Sequence, residues 1–153
     1  MSRLVILSGV PGSGKSTYAT EHNWNEPVIV LSTDNIRKKL TGDASCLDKD
    51  DMVWGYIYTV LASPCMDAVY VVDATNLVAR RRKTYLAFKD TFDTIELIYL
   101  YVDLETALKR NAERDRHVPE KVIHDMMEMA AKNMNFADLL EAGYDKISII
   151  KNM

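Results

Sequence analysis

Gly9-Val10-Pro11-Gly12-Ser13-Gly14-Lys15-Ser16 sets three glycines, a lysine and a hydroxyl at the spacing of a phosphate-binding loop, directly after the apolar run Leu4-Val5-Ile6-Leu7. Glycines at 9, 12 and 14 let the backbone curl until successive N–H groups converge on one phosphate, with the dipole of the following helix behind them. Lys15 then reaches the β and γ oxygens, and the Ser16 hydroxyl is suited to hold Mg²⁺ between those phosphates. A Gly-rich turn that merely joins strand to helix is the structural alternative. The complete spacing favours a nucleoside triphosphate, with Gly9, Pro11, Gly12, Ser13, Gly14, Lys15, Ser16 and Thr17 around its phosphates.

Three further segments carry chemistry. In Ser32-Thr33-Asp34-Asn35-Ile36-Arg37, Asp34 and Arg37 stand three apart at a helix start and share one face. The carboxylate can accept the proton of an attacking hydroxyl while the guanidinium grips an anion on the acceptor; alternatively Asp34 caps the helix and Arg37 is solvated. In Val71-Val72-Asp73-Ala74-Thr75-Asn76, Asp73 ends a strand, where a carboxylate either steers Mg²⁺ or caps. Thr75 and Asn76 offer polar contacts to an acceptor at the same edge. Arg80-Arg81-Arg82-Lys83 follows; four successive helical positions point in different directions, so most of these side chains are expected in solvent, with one arginine at the cleft. In Arg110-Asn111-Ala112-Glu113-Arg114-Asp115-Arg116-His117, Arg110 and Arg114 lie four apart, so both can swing over a triphosphate as a lid around 110–118. The alternative pairs these arginines with Glu105, Glu113 and Asp115 on the surface.

The elements that must position these groups alternate strand and helix. Continuous apolar runs predict strands near 3–8, 27–32, 68–73, 94–102 and 145–150, as a buried parallel sheet requires. Helical patterns fall near 14–22, 34–40, 49–62, 79–90, 104–114 and 119–135. In the last, Val122, Met126, Ala130 and Met134 recur every four residues, a stripe expected in the core. The fold class that follows is a three-layer α/β/α sandwich in one domain spanning 1–153. A net charge of −3 excludes a broad duplex-binding surface but permits a local basic tunnel. No apolar run approaches the ~20 residues of a membrane span, so a cytoplasmic location is expected. Cys46 and Cys65 lack CxxC spacing and are expected as reduced thiols.

Taken together, GVPGSGKS, STDNIR, VDATNL, RNAERD and HVPEKVI resemble the phosphate-loop kinases typified by the 5′-kinase domain of phage polynucleotide kinase. The resemblance covers essentially the whole chain in order. It implies a five-stranded parallel sheet with the phosphate-loop strand central. It also implies γ-phosphoryl transfer from ATP to a 5′-hydroxyl of DNA or RNA, or of a nucleoside 3′-phosphate. By that resemblance Asp34 activates the hydroxyl, Arg37 holds the adjacent 3′-phosphate, and Lys15 and Arg114 stabilise the transferring group. The alternatives are a small-molecule kinase acting on a nucleoside, sugar or antibiotic hydroxyl, and an ATPase switch. Against the switch, Asp73 is followed by Ala74 rather than an acidic residue that would poise a hydrolytic water.

Overall fold

Leu4, Val5, Ile6 and Leu7 are all fully buried, the signature of a strand covered on both faces. Successive side chains of a strand point to opposite faces, and the run divides accordingly. Leu4 and Ile6 join one cluster with Tyr70, Val72, Ile95 and Leu97, while Val5 and Leu7 join another with Val69, Val71, Ile98 and Leu100. The computed structural model describes residues 2–44, 50–65, 67–115 and 117–152. Arg116, Cys46 and the middle of the acidic stretch from Asp43 to Asp51 lie outside them. Cys65 is a free, exposed thiol.

The strands are β1 (Arg3–Ser8), β2 (Val28–Ser32), β3 (Val69–Asp73), β4 (Thr94–Tyr101) and β5 (Lys146–Lys151). They form one parallel sheet in the order β2-β3-β1-β4-β5, so β1 is central as expected. Between them run α1 (Lys15–Glu21), α2 (Thr33–Thr41), α3 (Asp50–Ala62), α4 (Ala79–Leu86), α5 (Leu104–Glu113), α6 (Glu120–Asn133) and α7 (Phe136–Glu141). The two covers of the sheet are unequal. α1 contributes Ala19 and Tyr18 to one side, closed by Trp24, whose indole N–H donates to the Ala19 carbonyl at 2.9 Å. The other side takes residues from α2 through α7.

Two expectations about the helices need revision. α7 lies beyond the last helix the periodicity predicts. Asn135 separates it from α6 by accepting hydrogen bonds from the Ala137 and Asp138 N–H groups, an N-cap that starts a new helix. The stripe on and just past α6 is core with a wet end: Ala130 and Met134 are buried and Met126 packs against the same core, while Val122 and one side of Met126 line a cleft at the carboxyl edge of the sheet.

Candidate active site

That cleft has a volume of about 1060 Å³ and lies where the ends of β1, β2 and β3 meet α5 and α6, the place where open α/β sheets collect ligands. The loop after β1 wraps its inner end. Gly12 and Gly14 have φ of 85° and 94°, conformations that L side chains rarely adopt; a Cβ on Gly14 would also collide with Asn152 Nδ2. The Ser13 N–H donates to the Val10 carbonyl at 3.1 Å, which closes the curl. Lys15 Nζ turns inward and donates to the carbonyls of Gly9 and Val10 at 2.9 and 3.0 Å. Burial lowers its pKa from 10.5 to about 8, with Arg114 adding to the fall and Asp73 and Asp34 opposing it.

Ser16 Oγ donates to Asp73 Oδ2 at 2.7 Å. A hydroxyl and a carboxylate side by side beneath a phosphate cradle are the hard oxygen donors that Mg²⁺ takes alongside phosphate oxygens and water. Among the described residues no group of three or more His, Cys, Asp or Glu could hold a metal. A cation here would therefore rest on this pair and on the phosphates, and the residues fit it.

α2 begins at Ser32, whose hydroxyl accepts from the Asn35 N–H. Ser32 therefore supplies the cap, and Asp34 reaches the cleft from the first turn. Arg37 borders the cleft but is almost fully buried, and each of its guanidinium nitrogens donates to protein. Nη1 donates to Asp34 Oδ1 at 3.0 Å and to the Ala44 carbonyl at 3.1 Å, while Nε and Nη2 reach Asp50 Oδ1 at 2.9 and 2.7 Å. Asp50, which opens α3, carried no expectation.

Beyond β3, Thr75 lines the cleft, and its carbonyl accepts from the Gly9 N–H at 2.9 Å. Asn76 also borders the cleft. Its side chain is buried and committed elsewhere: Nδ2 donates to the Leu7 carbonyl and Oδ1 accepts from the Tyr85 hydroxyl, each at 2.7 Å. It ties the β3 exit to β1 and α4, a structural role beside the acceptor contact expected of it. The arginine run on α4 departs from expectation. Arg82 is buried and donates to the carbonyls of Asn76 and Asn133, whereas Arg80 and Arg81 both line the cleft.

Arg110 and Arg114 line the cleft on its α5 side, and Arg110 Nη1 contacts the Gly12 carbonyl at 3.3 Å. Neither makes an ion pair with Glu105, Glu113 or Asp115 among the described residues. The loop they border is held at its base by Asn111, which donates to the Val118 carbonyl at 2.8 Å and accepts from the Val118 N–H at 2.9 Å. Asn152, just after β5, donates through Nδ2 to the Ser13 carbonyl at 2.7 Å. Sequence reasoning missed Asp50, Asn111 and Asn152. Only Asn111 left a signal, an amide inside a helix whose own turns do not need one.

The family model AAA_33, described as an AAA domain, matches residues 4–132. The L-seryl-tRNA(Sec) kinase of Methanococcus maripaludis is 30% identical over 141 residues, covering 82% of this chain and 51% of that protein. The chain thus spans about half the length of this curated relative. Among solved structures, the Pnkp1/Rnl/Hen1 RNA repair complex contains a chain with a TM-score of 0.71 at 21% identity, covering 87% of this chain and 45% of that one. A gluconokinase from Sinorhizobium meliloti 1021 superposes with a TM-score of 0.62 at 19% identity, covering 97% of this chain and 81% of its own. At those identities the structural likenesses speak for the fold. With the phosphate loop, the central β1 and the family match together, the chain belongs to the AAA_33 family of AAA domains and has the fold of a phosphate-loop kinase.

Proposed function

We propose that the protein transfers the γ-phosphoryl group of ATP to a 5′-hydroxyl at an end of DNA or RNA. The observation that carries this reading is that Asp34 opens onto the same cleft as Lys15 and the Ser16–Asp73 pair. A hydroxyl entering from the α2 side would meet a carboxylate on one flank and the γ-phosphate on the other. Asp34 accepts the hydroxyl proton as the acceptor oxygen bonds to the γ-phosphorus and the bond to the β-phosphate oxygen breaks, releasing ADP. Lys15, with Arg114 and Arg110 from α5, neutralises charge on the phosphoryl oxygens. Mg²⁺ held by Ser16 and Asp73 would neutralise the same oxygens and fix the triphosphate's orientation. Arg37 keeps the Asp34 carboxylate in place through its bond at 3.0 Å.

An acceptor carried on nucleic acid is supported by the seryl-tRNA kinase relative, whose name places its acceptor on RNA. It also agrees with a cleft at the upper end of the ~300–1,000 Å³ that single-ligand pockets occupy. A small-molecule acceptor is the second reading, and the superposition with a gluconokinase over nearly the whole chain favours it.

The deciding experiment is an acceptor screen with labelled ATP over 5′-hydroxyl oligonucleotides, nucleoside 3′-monophosphates, nucleosides, gluconate and seryl-tRNA. Label transfer to the 5′-hydroxyl acceptors supports the first reading; transfer confined to gluconate or nucleosides replaces it with the second. In the active pairing, Asp34→Asn should lower kcat by ~10²-fold or more with ATP affinity nearly unchanged, since an amide cannot accept the proton.

A further inference from the structure

Arg37 is the arginine that sequence reasoning assigns to an anion on the acceptor, yet two aspartates and a carbonyl occupy its donors. A second arginine on the acceptor side of the cleft stands in the opposite condition. Arg81, on the first turn of α4, lines the cleft and is half-buried. Its guanidinium carbon sits 3.9 Å from the centre of the Trp54 ring, and Nη1 donates to the Tyr58 hydroxyl at 2.8 Å. That hydroxyl is in turn 2.9 Å from Thr84 Oγ1. Among the described residues no carboxylate pairs with Arg81, and its Nε and Nη2 donors have no protein partner. The cation is therefore fixed in orientation by a ring, a hydroxyl and a threonine, and one edge of its fork is left to bind something else.

The position of that edge says what it reads. Trp54 and Asp50 are four apart on α3, so they share one face with their Cβ atoms about 5–6 Å apart. Asp50 holds Arg37, and Arg37 holds Asp34. The Arg81 fork and the Asp34 carboxylate thus line one cleft, with Trp54, Asp50 and Arg37 forming the chain of contacts between them. An acceptor that lays its hydroxyl at Asp34 and reaches along the cleft with an anionic group can touch both. A pre-oriented guanidinium edge offers two parallel N–H bonds, which match a phosphate ester.

We propose that Arg81, held flat on Trp54, is the specificity residue for a phosphate ester on the acceptor, a role that rests on the nucleic-acid reading above. The phosphate can be a terminal monoester or an internal diester, and both present the same oxygens to the fork.

The test compares wild type, Arg81→Ala and Arg81→Gln by calorimetric binding and by turnover. The three acceptor ligands are a nucleoside 3′-monophosphate, a dinucleoside monophosphate and the bare nucleoside. Wild type should bind the phosphate-bearing ligands more tightly than the bare nucleoside by ten- to a hundredfold. In both variants that ratio should collapse towards one, with ATP affinity as an internal check that the loop is intact. Arg81→Gln keeps a planar group over Trp54, so a merely structural role for the stack would leave the ratio high in this variant. A ratio that survives in Arg81→Gln, or is absent in wild type, overturns the proposal. Collapse with only one of the two phosphate ligands keeps Arg81 in its role and identifies the source as monoester or diester. The binding arm needs no turnover. If none of the nucleic-acid acceptors is phosphorylated, the proposed reaction fails while the affinity ratio still judges Arg81 by itself.

Discussion

Arg37 Nη1 stands 3.0 Å from Asp34 Oδ1, and the far side of the same guanidinium is closed by Asp50. A side chain so engaged acts on the reaction through the carboxylate it holds. Arg37→Ala should therefore lower kcat by about tenfold or more while both KM values move by only about threefold. Steady-state kinetics varying each substrate in turn make the split visible. Arg37→Lys should not restore the rate, because one ammonium cannot bridge two carboxylates as a planar fork does. A selective rise in acceptor KM would return Arg37 to the anion-binding role that its sequence position suggests.

The depressed pKa of Lys15 gives nucleotide binding a pH signature. Without nucleotide the ammonium loses its proton around pH 8, well below its ordinary 10.5. Phosphate oxygens beside it favour the charged form, so binding takes up a proton above pH 8. ATP affinity should fall with a limiting slope of about tenfold per pH unit from pH 8 upward. Calorimetry at pH 8.5–9 in two buffers of different ionisation heat should detect the proton, and Lys15→Ala should abolish both the uptake and phosphoryl transfer. The stability of the free protein carries the opposite sign. Between pH 8 and 10.5 the unfolded chain binds more protons at this residue than the folded one, so this group's contribution makes the fold more stable as pH rises through that window.

Asn76 separates a structural amide from a substrate contact. Asn76→Ala leaves the Leu7 carbonyl and the Tyr85 hydroxyl, both buried, without their partner. The expected loss is about 1–3 kcal/mol of stability, seen as a lower Tm or denaturation midpoint. Loss of acceptor affinity at an unchanged Tm would mean that the side chain reorients to meet substrate.

The bond from Asn152 to the Ser13 carbonyl fixes one peptide plane of the phosphate loop. In a trans peptide the C=O and the following N–H point in opposite directions. With the Ser13 carbonyl held outward, the Gly14 N–H is aimed into the cradle. Asn152→Ala should weaken ATP binding by about five- to tenfold, the size of one net hydrogen bond, and leave acceptor KM near its wild-type value. Equal changes in both constants would point instead to a general loosening of the cleft.

Much of this architecture is legible from residue type and spacing, because β-branched runs and a phosphate loop are local signals. The strands begin and end within a residue or so of where the apolar runs predict, and β1 is central. Partnerships between distant segments are not legible in that way. Nothing around Asp50 announces that its carboxylate meets Arg37, and nothing around Asn152 announces a carbonyl 139 residues away. Arg82 reads as one of a mostly solvated run of cations until the carbonyls of Asn76 and Asn133 are seen around it. The helix α7 escaped for a different reason: six residues hold too little periodicity to register, and its signal is the single cap at Asn135.

The family match ends at residue 132, whereas β5 pairs with β4 from Glu96 to Tyr101. A shortened protein cut at the match boundary would strip β4 of its outer neighbour and expose a row of unpaired N–H and C=O groups beside Tyr99 and Tyr101. Such an edge recruits strands from other molecules. The same cut removes the side chain that steadies the phosphate loop, so solubility and nucleotide affinity would fail together. The last strand, an edge itself but flanked by Lys146 and Lys151, thus replaces the β4 edge with a charged one and anchors the phosphate loop as well.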